Sequence, residues 1–119
     1  MKPAQPQEIG SRTKDFALRI IKLYAALPKT TEAQVMGKQL LRSGTSVGAH
    51  YREARRAKSD ADFISKMEGG LQELEETKYW LELLGGSGVV SDKQLFNLVQ
   101  ETEELIAIFV SIVKKAKHQ

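Results

Sequence analysis

Residues 39–84 decide the fold, and they read QLLRSGTSVGAHYREARRAKSDADFISKMEGGLQELEETKYWLELL. The first half predicts a helix from about Thr31 to Arg56, because apolar and small residues recur at steps of three and four. The residues on this face are Met36, Leu40, Ser43, Gly44, Val47, Tyr51 and Ala54. Glycine costs a helix about 1 kcal/mol relative to alanine. We therefore expect the backbone of a neighbouring helix to approach this face closely.

The second half of the stretch predicts another helix, which begins near Asp60. Ser59 with Asp62 three positions later has the spacing of a helix N-cap. The glycine-rich residues 85–88 then end the helix, because glycine adopts the left-handed conformation without penalty. The apolar positions keep the spacing of a bundle seam, interrupted at Thr77 and Lys78: Ile64, Met67, Leu71, Leu74, Leu81 and Leu84.

Two more helices flank this pair. The first should run from about Ser11 to Leu27, and Pro28 ends it; Thr31 with Gln34 then has the spacing to cap the second helix. Ser91 with Gln94 caps a fourth helix, which runs to about Lys117. The fourth helix is apolar over more than one face, which favours an oligomer in which another subunit covers the surplus.

Composition limits the class of protein. A chain of 119 residues is one domain by length, and it has no cysteine, which is typical of a reducing cytoplasm. No apolar stretch approaches the roughly 20 residues that span a bilayer. We predict a cytoplasmic protein with a disordered tail over residues 1–10 and a single helical domain over residues 11–119.

The net charge of +3 is unevenly distributed. Residues 1–58 hold twelve Lys and Arg against four Asp and Glu, whereas residues 59–119 hold six against eleven. A basic half of this kind indicates a nucleic-acid surface. Equally, the basic half could face the acidic half, within one subunit or across a subunit contact.

Basic residues of the second helix form the candidate site. Lys38, Arg42, Arg52 and Arg56 fall within about 80° on the side opposite the packing face. Arg55 lies close to them in the last turns. In the alternative interpretation, these cations hold subunits together against Glu68, Glu75 and Glu82, which form an acidic stripe on the third helix.

Residues for catalysis, metal binding or cofactor binding do not form recognisable patterns. There are two histidines, His50 and His118, without convergent ligands at metal spacing. No phosphate-binding loop or nucleophile motif occurs. Tyr79 and Trp80 have the chemistry to stack on bases, although core or interface anchoring is the commoner role of such residues. We predict a noncatalytic protein without a cofactor or metal.

The segments SVGA-x-YREA, DFI-x-K and YWLELL resemble the bacterial four-helix bundle proteins related to open reading frames in intervening sequences of 23S ribosomal RNA genes. The similarity covers about Ser11 to Lys117. A more distant resemblance is to the accessory variability determinant of diversity-generating retroelements, a basic pentamer that binds nucleic acid and a reverse transcriptase. The resemblance implies a four-helix bundle and a homopentamer, but no settled activity. Two features depart from the family pattern: His50, where asparagine is expected, and Gly69-Gly70, where better helix formers are expected.

We therefore predict an all-α, antiparallel up-down four-helix bundle that assembles into a ring-shaped homopentamer. Its function is predicted to be the binding of RNA or DNA phosphates by a basic face of the first two helices, through Lys38, Arg42, Arg52, Arg55 and Arg56. The alternative is an oligomeric scaffold that docks a protein partner and uses this face in subunit or partner contacts.

Overall fold

The computed structural model describes residues 6–118, with side chains from Glu8 onward. Four helices account for most of this range: α1 (Pro6–Ala26), α2 (Thr31–Arg55), α3 (Asp60–Gly86) and α4 (Asp92–Lys117). No strand occurs within the described residues. The prediction of an all-α protein with four helices is confirmed. None of the four helices has the length and apolarity that a bilayer crossing would require.

Consecutive helices are antiparallel neighbours. α1 packs on α2, α2 on α3 and α3 on α4, and α1 and α4 also touch, but over a much smaller area than these three pairs. Arg12 on α1 crosses the α1–α4 seam, with Nε 3.1 Å from Oε2 of Glu101 and Nη2 3.2 Å from Oε1 of Glu104. The hydrogen bond to Glu101 is the main reason that the pKa of Arg12 is raised. The arrangement is an up-down four-helix bundle whose most open side is closed by ion pairs.

The start of α1 differs from the prediction. Pro6–Gly10 is helical rather than part of a disordered tail, and Ile9 is 3% exposed within the core. Proline is favoured in the first turn of a helix, where its missing N–H leaves no hydrogen bond unmade. The predicted boundary at Ser11 is therefore wrong by five residues, and residues 1–5 lie outside the described part of the chain.

The other helix ends follow local capping chemistry. The α2 cap is Thr30 rather than the predicted Thr31, because Thr30 Oγ1 accepts from the N–H of Ala33 at 3.4 Å. The predicted N-cap of α3 is confirmed, since Ser59 Oγ accepts from the N–H of Asp62 at 3.1 Å. Ser91 and Gln94 form the predicted capping box at the start of α4. After α3, it is Gly88 that takes the left-handed conformation, with φ +80°.

α1 packs closely on the glycines of α2, but at Gly44 the contact is made by a side chain rather than by the predicted backbone. A Cβ placed on Gly44 would lie 2.7 Å from Cγ1 of Ile20, which is fully buried on α1. Thr45 and Ser46 donate back to the carbonyls of Leu41 and Arg42, at 2.7 and 2.6 Å. The free energy that glycine costs α2 is thus offset by tight packing of α1 against it.

The core runs the length of the bundle and draws on every helix. The largest fully buried side chains include Phe16, Ile20, Leu40, Met67, Leu74, Leu81, Leu84, Leu105 and Phe109. The apolar seam of α3 is interrupted at Thr77 as predicted, yet Thr77 is buried like its neighbours. It is accommodated because its hydroxyl lies 2.9 Å from the hydroxyl of Ser43 on α2.

Candidate nucleic-acid interface

The five predicted site residues are all exposed, four on α2 and Arg56 directly after it, but they do not form one continuous group. Lys38 lies in the first half of the helix, and Arg52 follows 14 residues later, which is about 21 Å along the axis. Arg52, Arg55 and Arg56 share the last turns. The predicted basic stripe therefore divides into Lys38 and Arg42, which lie one turn apart in the first half of α2, and a group of three arginines at its C-terminal end.

The central arginine, Arg42, is bound to α3. Its Nη1 lies 3.3 Å from Oε2 of Glu73, and its Nη2 lies 3.0 Å from Oε2 of Glu76. The hydrogen bond from Arg42 is the main cause of the lowered pKa of Glu76. Two carboxylates thus offset the charge of Arg42, so this cation braces α2 against α3.

Pairing between the basic and acidic halves of the chain therefore occurs within one subunit. Within this subunit, the carboxylates that meet Arg42 are Glu73 and Glu76. A contact of the basic face with Glu68, Glu75 and Glu82 of another subunit stays a prediction. Glu68 accepts from Nζ of Lys117 on α4 at 2.9 Å. The acidic stripe is defined by seven-residue spacing alone. The side of α3 that faces α2 is instead set by packing around the buried Thr77, and Glu73 and Glu76 lie on that side.

The group at the end of α2 is different. Arg52, Arg55, Arg56 and Lys58 are exposed, and no carboxylate lies within ion-pair distance of their side chains among the described residues. The nearby Glu53 lies 3.9 Å from Nζ of Lys66 and 3.7 Å from Nδ1 of His50, which forms no hydrogen bond with the residues that the structure describes. Four cations close together in sequence are thus left without a carboxylate partner in the described part of the chain.

The bundle adds further residues to this end, and the sequence did not single them out. Lys14 of α1 lines a hollow of about 390 Å³ together with Arg52, over a floor of small residues. A second hollow of about 430 Å³ lies at the α2–α3 turn and is lined by Arg55, Lys58 and Phe63. A third, of about 330 Å³, is lined by Phe63 and Lys115, because α4 ends where α3 begins.

These additional residues were missed because each has a local explanation. Lys115 complements the dipole of α4 near its C-terminus, and Phe63 continues the apolar pattern of α3. Only the antiparallel packing of α3 and α4 brings them to the end where α2 finishes. We call this group the basic end of the bundle: Lys14, Arg52, Arg55, Arg56, Lys58 and Lys115.

The other candidate side chains do not converge. Among residues 8–118, no three histidine or acidic side chains gather at metal-binding distance. Tyr79 is 54% exposed and meets Trp80 edge-on, with ring centroids 5.3 Å apart. Trp80 packs against the core. Both aromatic residues lie in the last third of α3, away from its N-terminal end, where the cations gather.

Comparisons with known proteins agree with this architecture. The family model of the 23S rRNA-intervening sequence protein matches residues 6–111. A solved structure from Bacteroides thetaiotaomicron, described as a protein of unknown function from the S23 ribosomal protein family, is 40% identical with a TM-score of 0.86. The match covers 92% of this chain and 97% of that one. No curated protein matches the chain. The chain therefore belongs to the 23S rRNA-intervening sequence protein family.

Proposed function

We propose that the protein is a noncatalytic, oligomeric helical bundle that binds RNA or DNA through the basic end. The observation that supports this most is the contrast between Arg42 and the arginines at the end of α2. Arg42 is bound by two carboxylates, whereas Arg52, Arg55 and Arg56 have none within ion-pair distance among the described residues. Cations without a partner are free to bind an external anion.

Phosphate is the anion that this arrangement suits. Guanidinium groups bind phosphate oxygens through paired N–H donors, and exposed lysines add charge without demanding a fixed geometry. Contacts of this kind go to the backbone and carry no sequence information. We therefore expect binding that tolerates changes of sequence and weakens steeply with salt as counterions are released. Arg42 belongs to the predicted surface but contributes less than the three terminal arginines, because two carboxylates offset its charge. Lys38 lies about 21 Å from Arg52 along the helix axis, so it would meet a different part of the ligand.

Oligomer formation is part of the proposal. Large apolar side chains remain exposed on α1 and α4, with Leu18 53% and Phe96 66% accessible to solvent in the isolated chain. Ile21 and Val110 are also exposed, at 45% and 39%. Burial of such residues between subunits would stabilise an assembly. The homopentameric ring rests on the family resemblance, and it would present the basic end five times and so strengthen weak phosphate binding.

The same exposed apolar residues favour a second candidate function. A scaffold that docks a protein partner would use apolar anchors, with cations at the rim of the contact. Its binding would depend on Leu18 or Phe96 and would vary little with salt. A cytoplasmic location fits either function and remains part of the proposal.

The test is fluorescence anisotropy of labelled RNA and DNA at low and moderate salt. We compare wild type with two double variants, Arg52→Glu/Arg56→Glu and the control Lys22→Glu/Lys93→Glu. Both double variants change the net charge by the same amount. Lys22 and Lys93 are exposed at the opposite end of the bundle.

The proposal predicts that wild type binds tightly and that salt weakens this binding. Arg52→Glu/Arg56→Glu should lose the binding, and Lys22→Glu/Lys93→Glu should largely keep it. Equal losses in both variants would mean a general charge effect. Absence of wild-type binding at low salt removes the proposal and leaves the scaffold. Light scattering on each variant establishes that the oligomer is unchanged.

A further inference from the structure

Phe63 occupies a particular place in the basic end. It lies in the first turn of α3 and lines two hollows, one at the α2–α3 turn and one between α3 and α4. Its ring packs partly against the core but is not fully buried. A ligand in either hollow would therefore contact the Phe63 ring.

Cations flank the ring on both sides. Arg55 and Lys58 share the first hollow with Phe63, and Lys115 shares the second. Basic side chains around an aromatic ring are typical of surfaces that bind single-stranded nucleic acid: the cations bind phosphates while the ring stacks on a base. A base paired inside a duplex is already stacked on its neighbours and cannot stack on a side chain in this way.

One carboxylate shares the site. Asp60 lines both hollows beside Phe63, and it forms no ion pair with Arg55, Lys58 or Lys115. Its position in the first turn of α3 is favourable for the helix dipole. Its negative charge would nevertheless repel a phosphate in either hollow, so it should moderate the affinity of this site.

We infer that Phe63, with Arg55, Lys58 and Lys115, forms a binding site for single-stranded RNA or DNA, in which the ring stacks on an unpaired base. This site rests on the proposed function, because it uses the same basic end. It goes further by naming single strands as the preferred ligand. The two hollows extend from Phe63 in different directions, so the phosphates on either side of the stacked base would meet different cations.

The test combines changes in the protein with changes in the ligand. We measure anisotropy for a labelled oligouridine, an oligothymidine, an abasic deoxyribose oligonucleotide of the same length, and a duplex. The proteins are wild type, Phe63→Leu, Phe63→Tyr and Asp60→Asn. Tyr79→Leu is the control, because Tyr79 is an exposed aromatic residue in the last third of α3, away from the basic end. Thermal unfolding of each variant monitors the structural cost of losing the ring.

We expect Phe63→Leu to weaken binding of both single strands about tenfold and to leave binding of the abasic strand unchanged. Phe63→Tyr should restore binding, because its ring also stacks. Asp60→Asn should tighten binding of every ligand, and Tyr79→Leu should change none. The uridine and thymidine arms show whether the site distinguishes RNA from DNA.

Two results would overturn the site while leaving the proposed function intact. In the first, Phe63→Leu weakens the abasic and base-containing strands equally, so the ring acts through structure alone. In the second, Phe63→Leu binds every ligand like wild type, and salt still weakens binding. If wild type binds no nucleic acid at low salt, the proposed function fails and the site fails with it.

Discussion

Gly70 on α3 and Phe109 on α4 are in direct contact, and the contact leaves no room for a side chain on the glycine. A Cβ on Gly70 would lie 2.7 Å from Cε2 of Phe109, whose ring is completely buried. At the adjacent Gly69, a Cβ would lie 2.8 Å from Cε1 of His50. The two adjacent glycines therefore have different neighbours, because Gly70 makes room for the buried Phe109 ring and Gly69 makes room for the partly exposed His50 ring.

We predict opposite outcomes for alanine at these two neighbouring positions. Gly70→Ala should lower the free energy of unfolding by about 1–3 kcal/mol, because the Phe109 ring is enclosed and cannot move aside. Gly69→Ala should be neutral or stabilising by up to about 1 kcal/mol, because the partly exposed His50 ring can rotate while α3 gains helix propensity. Urea unfolding of both variants measures the difference. Equal effects at the two positions would contradict the distinction between an enclosed and a movable ring.

The hydroxyl pair in the core makes a second prediction. Thr77 and Ser43 lie 2.9 Å apart, and each hydroxyl is also near a carbonyl one turn earlier, that of Glu73 at 2.8 Å or Leu40 at 3.3 Å. Thr77→Val should destabilise the fold by about 1 kcal/mol, because Ser43 loses one of its two partners. The double variant with Ser43→Ala should cost less than the sum of the single changes. Additive costs in urea unfolding would mean that the two hydroxyls are not coupled.

The fold was predictable because its signals are local. The capping residues at Ser59 and Ser91 and the spacing of apolar positions in α2 and α3 fix four helices joined by short loops. The start of α1 was missed because Pro3 and Pro6 indicated an irregular tail, although proline is equally compatible with a first helical turn. The extension of α1 towards Pro6 is explained by the burial of Ile9 in the core, which is a tertiary effect.

The candidate site was only partly predictable. Helix geometry located the arginines of α2 correctly on an exposed face, but it did not reveal that Arg42 meets Glu73 and Glu76. Helix geometry also did not predict that Lys115 and Phe63 line the same hollow, because these residues are distant in sequence and meet only through the packing of α3 on α4. Neighbouring residues on other helices decide which charged side chains remain unpaired. A projection of one helix does not show those neighbours.

The Arg42–Glu76 pair makes a prediction about pH. The pKa of Glu76 is lowered in the folded protein, so the pair stabilises the fold above the unfolded-state pKa and this contribution is lost as pH falls through the folded-state value. Arg42→Gln should return the pKa of Glu76 towards its ordinary value. It should therefore lose less stability than wild type between neutral pH and about pH 3.

This pH effect should be small, because the Glu76 side chain is 44% exposed and solvent screens the pair. Carboxyl carbon shifts in an NMR titration measure the pKa of Glu76 directly. Glu76→Gln is the control: it removes the titrating group, so its unfolding profile should match that of Arg42→Gln in this window. An unchanged Glu76 titration in Arg42→Gln would show that the ion pair does not form in solution.

The exposed apolar side chains of α1 and α4 make the last prediction. Ile21 is 45% exposed and does not contribute to the core, so Ile21→Glu should leave the helix content of the subunit unchanged. If α1 lies in a subunit contact, the carboxylate would have to be buried without a partner, and the assembly should dissociate at concentrations where wild type is associated. Lys22→Glu is the matched control, because it adds a carboxylate at the next exposed position of α1 without removing apolar surface. Light scattering over a concentration series measures the mass, and circular dichroism measures the helix content. If Ile21→Glu and the corresponding change at Phe96 both keep the wild-type mass, these faces do not hold subunits together, and the scaffold that docks a different protein becomes the better account of their exposure.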